Sequence, residues 1–213
     1  MTEILTQATL ETLYMVFFGA AFAFILGTPI GILLYLTQKG GLSEKPALYR
    51  VVDAIVNIAR SIPYVILMIL LIPVTRQIIG TAIGSTATIF SLAASAAPFF
   101  ARLVETALNE VDGGILEAAK AMGSTNRQII FQVLLPEALP SLIQAMTTTI
   151  INLIGYTAMA GALGGGGLGA EAQRYGYYRR QEDLLWASVI VIVVVVQLIQ
   201  LAGNTLARSI DKR

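Results

Sequence analysis

The sequence predicts an all-α integral membrane protein of five transmembrane helices, with a polar helix–turn–helix between the third and fourth. Three observations carry this. Of 213 residues, 56% are hydrophobic and only 13% charged, against about 25% charged in an ordinary soluble domain. Mean hydropathy is +0.74. Uncharged apolar runs longer than the roughly 18 residues that mark a membrane helix recur along the chain. A soluble fold would have to bury several helices that are apolar all round, in a core too large for this length.

What is missing narrows the chemistry. Net charge is +1, so no basic face is available for nucleic acid. Cysteine and histidine are both absent, which removes disulfides, thiol nucleophiles, the usual zinc sites and imidazole acid–base catalysis. The first basic residue is Lys39, so the basic region of a cleaved signal peptide is lacking. The first apolar segment is therefore expected to be retained.

That segment is 13–36, "LYMVFFGAAFAFILGTPIGILLYL", without a charge. Gly19, Ala23, Gly27 and Gly31 fall four apart on one face, a stripe that lets a neighbouring helix approach closely in lipid. Thr28-Pro29 is expected to kink it. The second segment, "IPYVILMILLIPV", reaches spanning length only by extending back to about 54, giving 54–74. Arg60 then lies near an interface, where its stem can snorkel. The third runs over 78–100 and is rich in Gly, Ala and Ser. The fourth covers 138–163 and the fifth 184–206. The Val/Ile run in the fifth would read as a strand in water, but in lipid its length favours a helix. The whole chain, 1–213, is expected to form one membrane domain without an internal repeat.

Five spans put the termini on opposite sides. With the N-terminus outside, ten of the 14 Lys and Arg face the cytoplasm and four, Arg76, Arg174, Arg179 and Arg180, face out. The positive-inside rule selects that arrangement. It places the C-terminus and residues 101–137 in the cytoplasm.

Residues 117–136 of that loop read "EAAKAMGSTNRQIIFQVLLP". Asp112 is placed to cap a short helix, which Gly123 can end in a left-handed turn. Ile115, Ala118, Ala119 and Met122 share one face at helical spacing. Thr125 and Gln128 stand at capping-box spacing for a second helix. Pro136 and Pro140 suit the entrance to the fourth span. The expected product is a compact helical hairpin, with Glu117 on its exposed side.

Glu117-Ala118-Ala119, Gly123, Val133 and Leu135-Pro136, at these spacings, resemble the EAA signature of ABC importer permeases. The family favours Ile at the place of Val133. The similarity extends through "NIARSIPYVILMILLIPVTR" (57–76), "AAPFFARLVE" (96–105) and "GYTAMAGALGGGGLG" (155–169), and so over nearly the whole chain. Within the family it is greatest to the methionine-uptake branch, which also has five spans. The resemblance implies a homodimer in the bacterial inner membrane, carrying methionine or a related amino acid. A different small amino acid or an osmolyte is the alternative cargo. It also implies two separate cytoplasmic ATPase subunits, which bind the ATP and Mg and hydrolyse the ATP; this chain holds no cofactor and is not an enzyme. Each ATPase receives one loop as a coupling helix, through Glu117, Ala118, Ala119, Gly123, Leu135 and Pro136. A periplasmic or lipid-anchored binding protein delivers the cargo.

Other chemistry fits less well. The glycine cluster "GGGGLGAE" (164–171) lacks the Lys-Ser/Thr of a P-loop and reads as a mobile connection or part of the outer mouth. Ion-coupled transporters place ionisable groups at membrane depth. Here only Asp53 and Arg60 approach a span, so ion coupling has little to work with. For the pathway, the fourth span offers Asn152, Tyr156 and Met159, polar and thioether groups within an apolar helix; Met159 is the candidate gate.

Overall fold

A computed structural model describes residues 2–211. Among them every regular element is helical: α1 (Thr2–Thr37), α2 (Pro46–Ser61), α3 (Tyr64–Ile79), α4 (Ser85–Asn109), α5 (Gly113–Ala121), α6 (Asn126–Gln128), α7 (Leu135–Gly161), α8 (Gly167–Glu171) and α9 (Glu182–Ile210). A π-helical stretch, Ile129–Leu134, joins α6 to α7, so that Asn126–Gly161 runs as one helix of 36 residues. Four helices are long and apolar enough to cross a membrane, and the bent pair α2–α3 makes a fifth if taken together.

The most extensive packing in the bundle is α1 on α4, and small residues bring the two close. A Cβ on Gly27 would stand 2.7 Å from the Ala97 carbonyl oxygen, and one on Gly31 would stand 2.5 Å from that of Ala101. The two backbones therefore touch where the sequence stripe placed its glycines. Around this line Met15, Leu92 and Leu153 are fully buried in one apolar cluster. A second cluster of Tyr35, Phe100, Val104, Leu108 and Leu134 lies towards α5. Phe24 and Phe100, 4.5 Å apart, join the two.

Proline shapes the helices unequally. α1 continues as one helix through Pro29, and the hydroxyl of Thr28 donates to the Phe24 carbonyl one turn back. Pro63 does interrupt. It holds Ile62 extended (φ −81°, ψ 120°), as the residue before proline prefers, and α2 meets α3 at 103°. The segment expected as one rod over 54–74 is thus an elbow. α3 by itself is about 24 Å long at 1.5 Å per residue, short of the roughly 30 Å hydrocarbon core.

The expected third span also moves. Gly80 ends α3 in a left-handed turn, φ 85°, and α4 begins only at Ser85. It then continues past Phe100 to Asn109, because the charges at its end are neutralised inside the structure. The glycine cluster, expected as a mobile connection, is tied down: Glu11 accepts from the Gly167 N–H at 2.9 Å, and Thr12 from that of Leu168 at 2.9 Å.

Gly31→Leu drives carbon into the α4 backbone and is expected to cost about 1–3 kcal/mol. The measurement is thermal unfolding in detergent, where the melting temperature of the variant should fall.

Candidate functional site

The polar segment after α4 is a built hairpin. The Asp112 side chain accepts from the Gly114 N–H at 2.7 Å and caps α5. α5 ends at Gly123, whose φ of 80° lies in the left-handed region. There the Gly123 N–H reaches Lys120 and the Ser124 N–H reaches Ala119, closing the last carbonyls of the helix. Thr125 and Gln128 form a reciprocal capping box that starts α6. Beyond it the Leu135 N–H bonds the Ile130 carbonyl, five residues back. This π register sets the phase of the helix just before Pro136, which has no N–H to offer.

The hairpin packs through one edge and exposes the other. Ala119 and Ile129 are buried. Glu117, Ala118 and Pro136 are exposed, and Leu135 is half-buried. Met122 is 79% exposed and Phe131 61%. Of the four apolar positions that share a face of α5 in the sequence, only Ala119 is covered. A hairpin capped at both ends that leaves Met122 and Phe131 in the open has the character of a docking tip.

Its base is fastened to the bundle at several points. Gln38 donates to Asn109 at 2.6 Å, Ser141 to Glu110 at 2.5 Å, and Asn126 to the Leu42 carbonyl at 3.1 Å. Deeper along α4 is a polar cluster that the sequence reading missed. The Arg102 guanidinium donates to Asp53 of α2, to Asn57 at 3.1 Å and to Glu105 at 2.5 Å. Glu105 is only 3% exposed and also accepts from Tyr49 at 3.2 Å. Arg102 and Glu105 were assigned to a solvated loop because α4 was expected to stop at residue 100. Their i,i+3 spacing was the signal that the helix goes on.

The pathway candidates lie together on α7. Tyr156 stacks on Tyr64 of α3 with centroids 4.7 Å apart and planes 6° from parallel. Tyr64 in turn meets Ser91 of α4 at 3.2 Å. Asn152 is half-buried and Met159 is 49% exposed. Spacings of four and three put Asn152, Tyr156 and Met159 on one face, open at Met159 within a single chain. Earlier on α7, Thr147 and Thr149 are buried and return their hydroxyls to carbonyls four residues back. Among the described residues no cluster of acidic side chains is suited to a metal ion.

Comparison with known proteins gives concordant results. Residues 27–213 match the family described as binding-protein-dependent transport system inner membrane component. The chain is 49% identical to the probable D-methionine transport system permease protein MetI of Vibrio cholerae, covering 100% of this chain and 94% of the relative. It is 48% identical to the methionine import system permease protein MetP of Bacillus subtilis, covering 98% and 94%. Among solved structures, a chain of the MetNI methionine ABC transporter in an inward-facing conformation superposes with a TM-score of 0.98. It is 47% identical, and the match covers 100% of this chain and 98% of that one.

Gly123→Ala places a Cβ in a left-handed residue, at a cost of about 1–2 kcal/mol. Backbone amide exchange over Gly113–Ala121 should accelerate about tenfold, the rate equivalent of that energy, while exchange in α1 stays unchanged.

Proposed function

The chain belongs to the binding-protein-dependent transport system inner membrane components, and from that membership we propose an ATP-driven importer of methionine in which it is the permease subunit. It is a multi-pass protein of the inner membrane, and hydrolysis of ATP resides in a separate subunit. Full-length identity to relatives named as D-methionine and methionine permeases supports the cargo. A related small amino acid or an osmolyte is the alternative that competition would reveal.

In this reading two copies of the chain pair, each docking one ATPase, with the cargo passing between them. The bent pair α2–α3 counts as a span, giving five with the N-terminus outside and the C-terminus in the cytoplasm. The α5 hairpin enters a groove on the ATPase. Glu117 and Ala118 form its contact face, with Ala119 buried behind them as the packing edge. Gly123 sets the angle between the arms, and Leu135 and Pro136 join the hairpin rigidly to α7. The observation that carries this assignment is the exposed tip of Ala118, Met122 and Phe131 on a base fixed by Asn109, Glu110 and Asn126. A push on such a tip reaches α4 and α7 with little loss, and rigid-body rocking of helices is how such bundles change access. A binding protein outside the membrane presents the cargo to the mouth near α8.

The α7 face of Asn152, Tyr156 and Met159 lines the route. Cargo reaches it when the paired copies open, and Met159 closes the outer end by flexible apolar packing.

Proteoliposomes holding the permease, its ATPase and its binding protein test this directly. Radiolabelled methionine should accumulate only with ATP, and excess unlabelled methionine should abolish the signal. Accumulation driven by a proton or sodium gradient without ATP would overturn the proposal. In the same vesicles Met159→Ala should raise leak of preloaded methionine several-fold; a leak equal to wild type would remove Met159 from the gate.

A further inference from the structure

α2 looks at first like a passive surface helix, since Val56 alone is fully buried. Its polar residues are not arranged passively. Tyr49, Asp53 and Asn57 are four apart and form one stripe, and all three enter the cluster around Arg102 and Glu105 of α4. Asn57 also donates to Asp53 at 3.1 Å, which holds both acceptors in front of the guanidinium. The fork of Arg102 thus spans two helices, gripping α2 with one nitrogen and Glu105 with the other.

A second attachment lies at the start of α2. Asn126, the first residue of α6, donates to the carbonyl of Leu42 in the turn between α1 and α2. That turn is held again by Gln38 on Asn109, the last residue of α4. The hairpin from residue 110 to 125 therefore has both its feet bonded to the approach to α2, while the Arg102 fork bonds α2 along its length. Among the described residues, the far end of α2 makes no such side-chain bond to another helix; Ser61 bonds only back to Asn57. The helix stops at Ile62–Pro63, turns through 103° and hands over to Tyr64, the ring stacked on Tyr156 of the pathway face.

We infer that α2 is a second transmission arm, clamped to α4 by Asp53 and Arg102, tied at its approach to the foot of the coupling hairpin by Asn126, and delivering its movement through the Ile62–Pro63 joint to Tyr64 and the α7 face. The inference rests on the hairpin being the ATPase dock. Rotation of α4 carries Arg102 with it; Arg102 carries Asp53, and the elbow converts swing of α2 into a shift of α3 against Tyr156. Asp53 and Arg102 are positioning residues, since neither touches cargo.

The test is the number of ATP hydrolysed per methionine delivered, measured as released phosphate and radiolabelled methionine in proteoliposomes of the complete complex. Asp53→Ala is compared with Asp53→Glu, which keeps the carboxylate, and with wild type, all at equal assembled complex by size exclusion. Loss of the clamp should raise the ratio about fivefold or more, the lower range of site-to-site coupling, and Asp53→Glu should restore most of the wild-type value. An unchanged ratio, or hydrolysis and uptake falling together in proportion to assembled complex, overturns the arm. Asn126→Ala breaks an exposed bond and leaves the buried cluster whole, so it serves even where Asp53→Ala assembles poorly. It should raise the ratio about twofold, and a wild-type ratio there also overturns the arm. Failure of wild type to import methionine with ATP would instead overturn the importer reading beneath it.

Discussion

The bundle depends on one close approach, that of α1 to α4 at Gly27 and Gly31. In lipid, apolar side chains gain nothing from meeting each other rather than acyl chains, so helices associate by van der Waals fit and polar contacts. The Ala97 and Ala101 carbonyls stand where any side chain on those two glycines would have to go. Backbone contact along this line fixes the axis of α4. The end of α4 in turn fixes where the α5 hairpin projects, and Phe100, Val104 and Leu108 carry that placement into the second apolar cluster with Leu134.

Polar groups inside such a bundle must be satisfied by the protein itself, and two solutions occur. Hydroxyls of Thr28, Thr147, Thr149 and Ser188 return to carbonyls four residues back, which satisfies them within their own helices. Arg102, Asp53 and Glu105 instead neutralise one another across two helices. Glu105 is the buried member, so removal of Arg102 strands a buried carboxylate at a cost larger than the net gain from the intact pair. A cluster of that kind fixes geometry more than it adds stability, and here it fixes the one helix that ends in an elbow.

Much of the architecture was legible in the sequence because lipid imposes simple rules. Long uncharged runs gave helices near α1, α4, α7 and α9, and the small-residue stripe marked the α1–α4 contact. Asp112, Gly123, Thr125 and Gln128 were readable because capping is local chemistry, settled within a few residues. Three features were not readable. Pro29 and Pro63 look alike in sequence, yet α1 continues through Pro29 whereas the chain turns through 103° at Pro63. The end of α4 was misplaced because the charges of Arg102 and Glu105 suggested water, whereas their other partners, Tyr49, Asp53 and Asn57, sit 45 or more residues earlier in the chain. The glycine cluster at 164–167 suggested mobility, and the side chains that hold it, Glu11 and Thr12, come from the opposite end of the sequence.

The most direct measurement is a mild-detergent pull-down of this chain, wild type beside Glu117→Lys, with co-purifying proteins identified and counted. Retention of one ATPase subunit per copy by wild type, weakened or lost on charge reversal at the exposed face of α5, is the predicted result. Absence of any ATPase from wild type, even after crosslinking, would contradict it and leave α5 a capped surface helix with no partner.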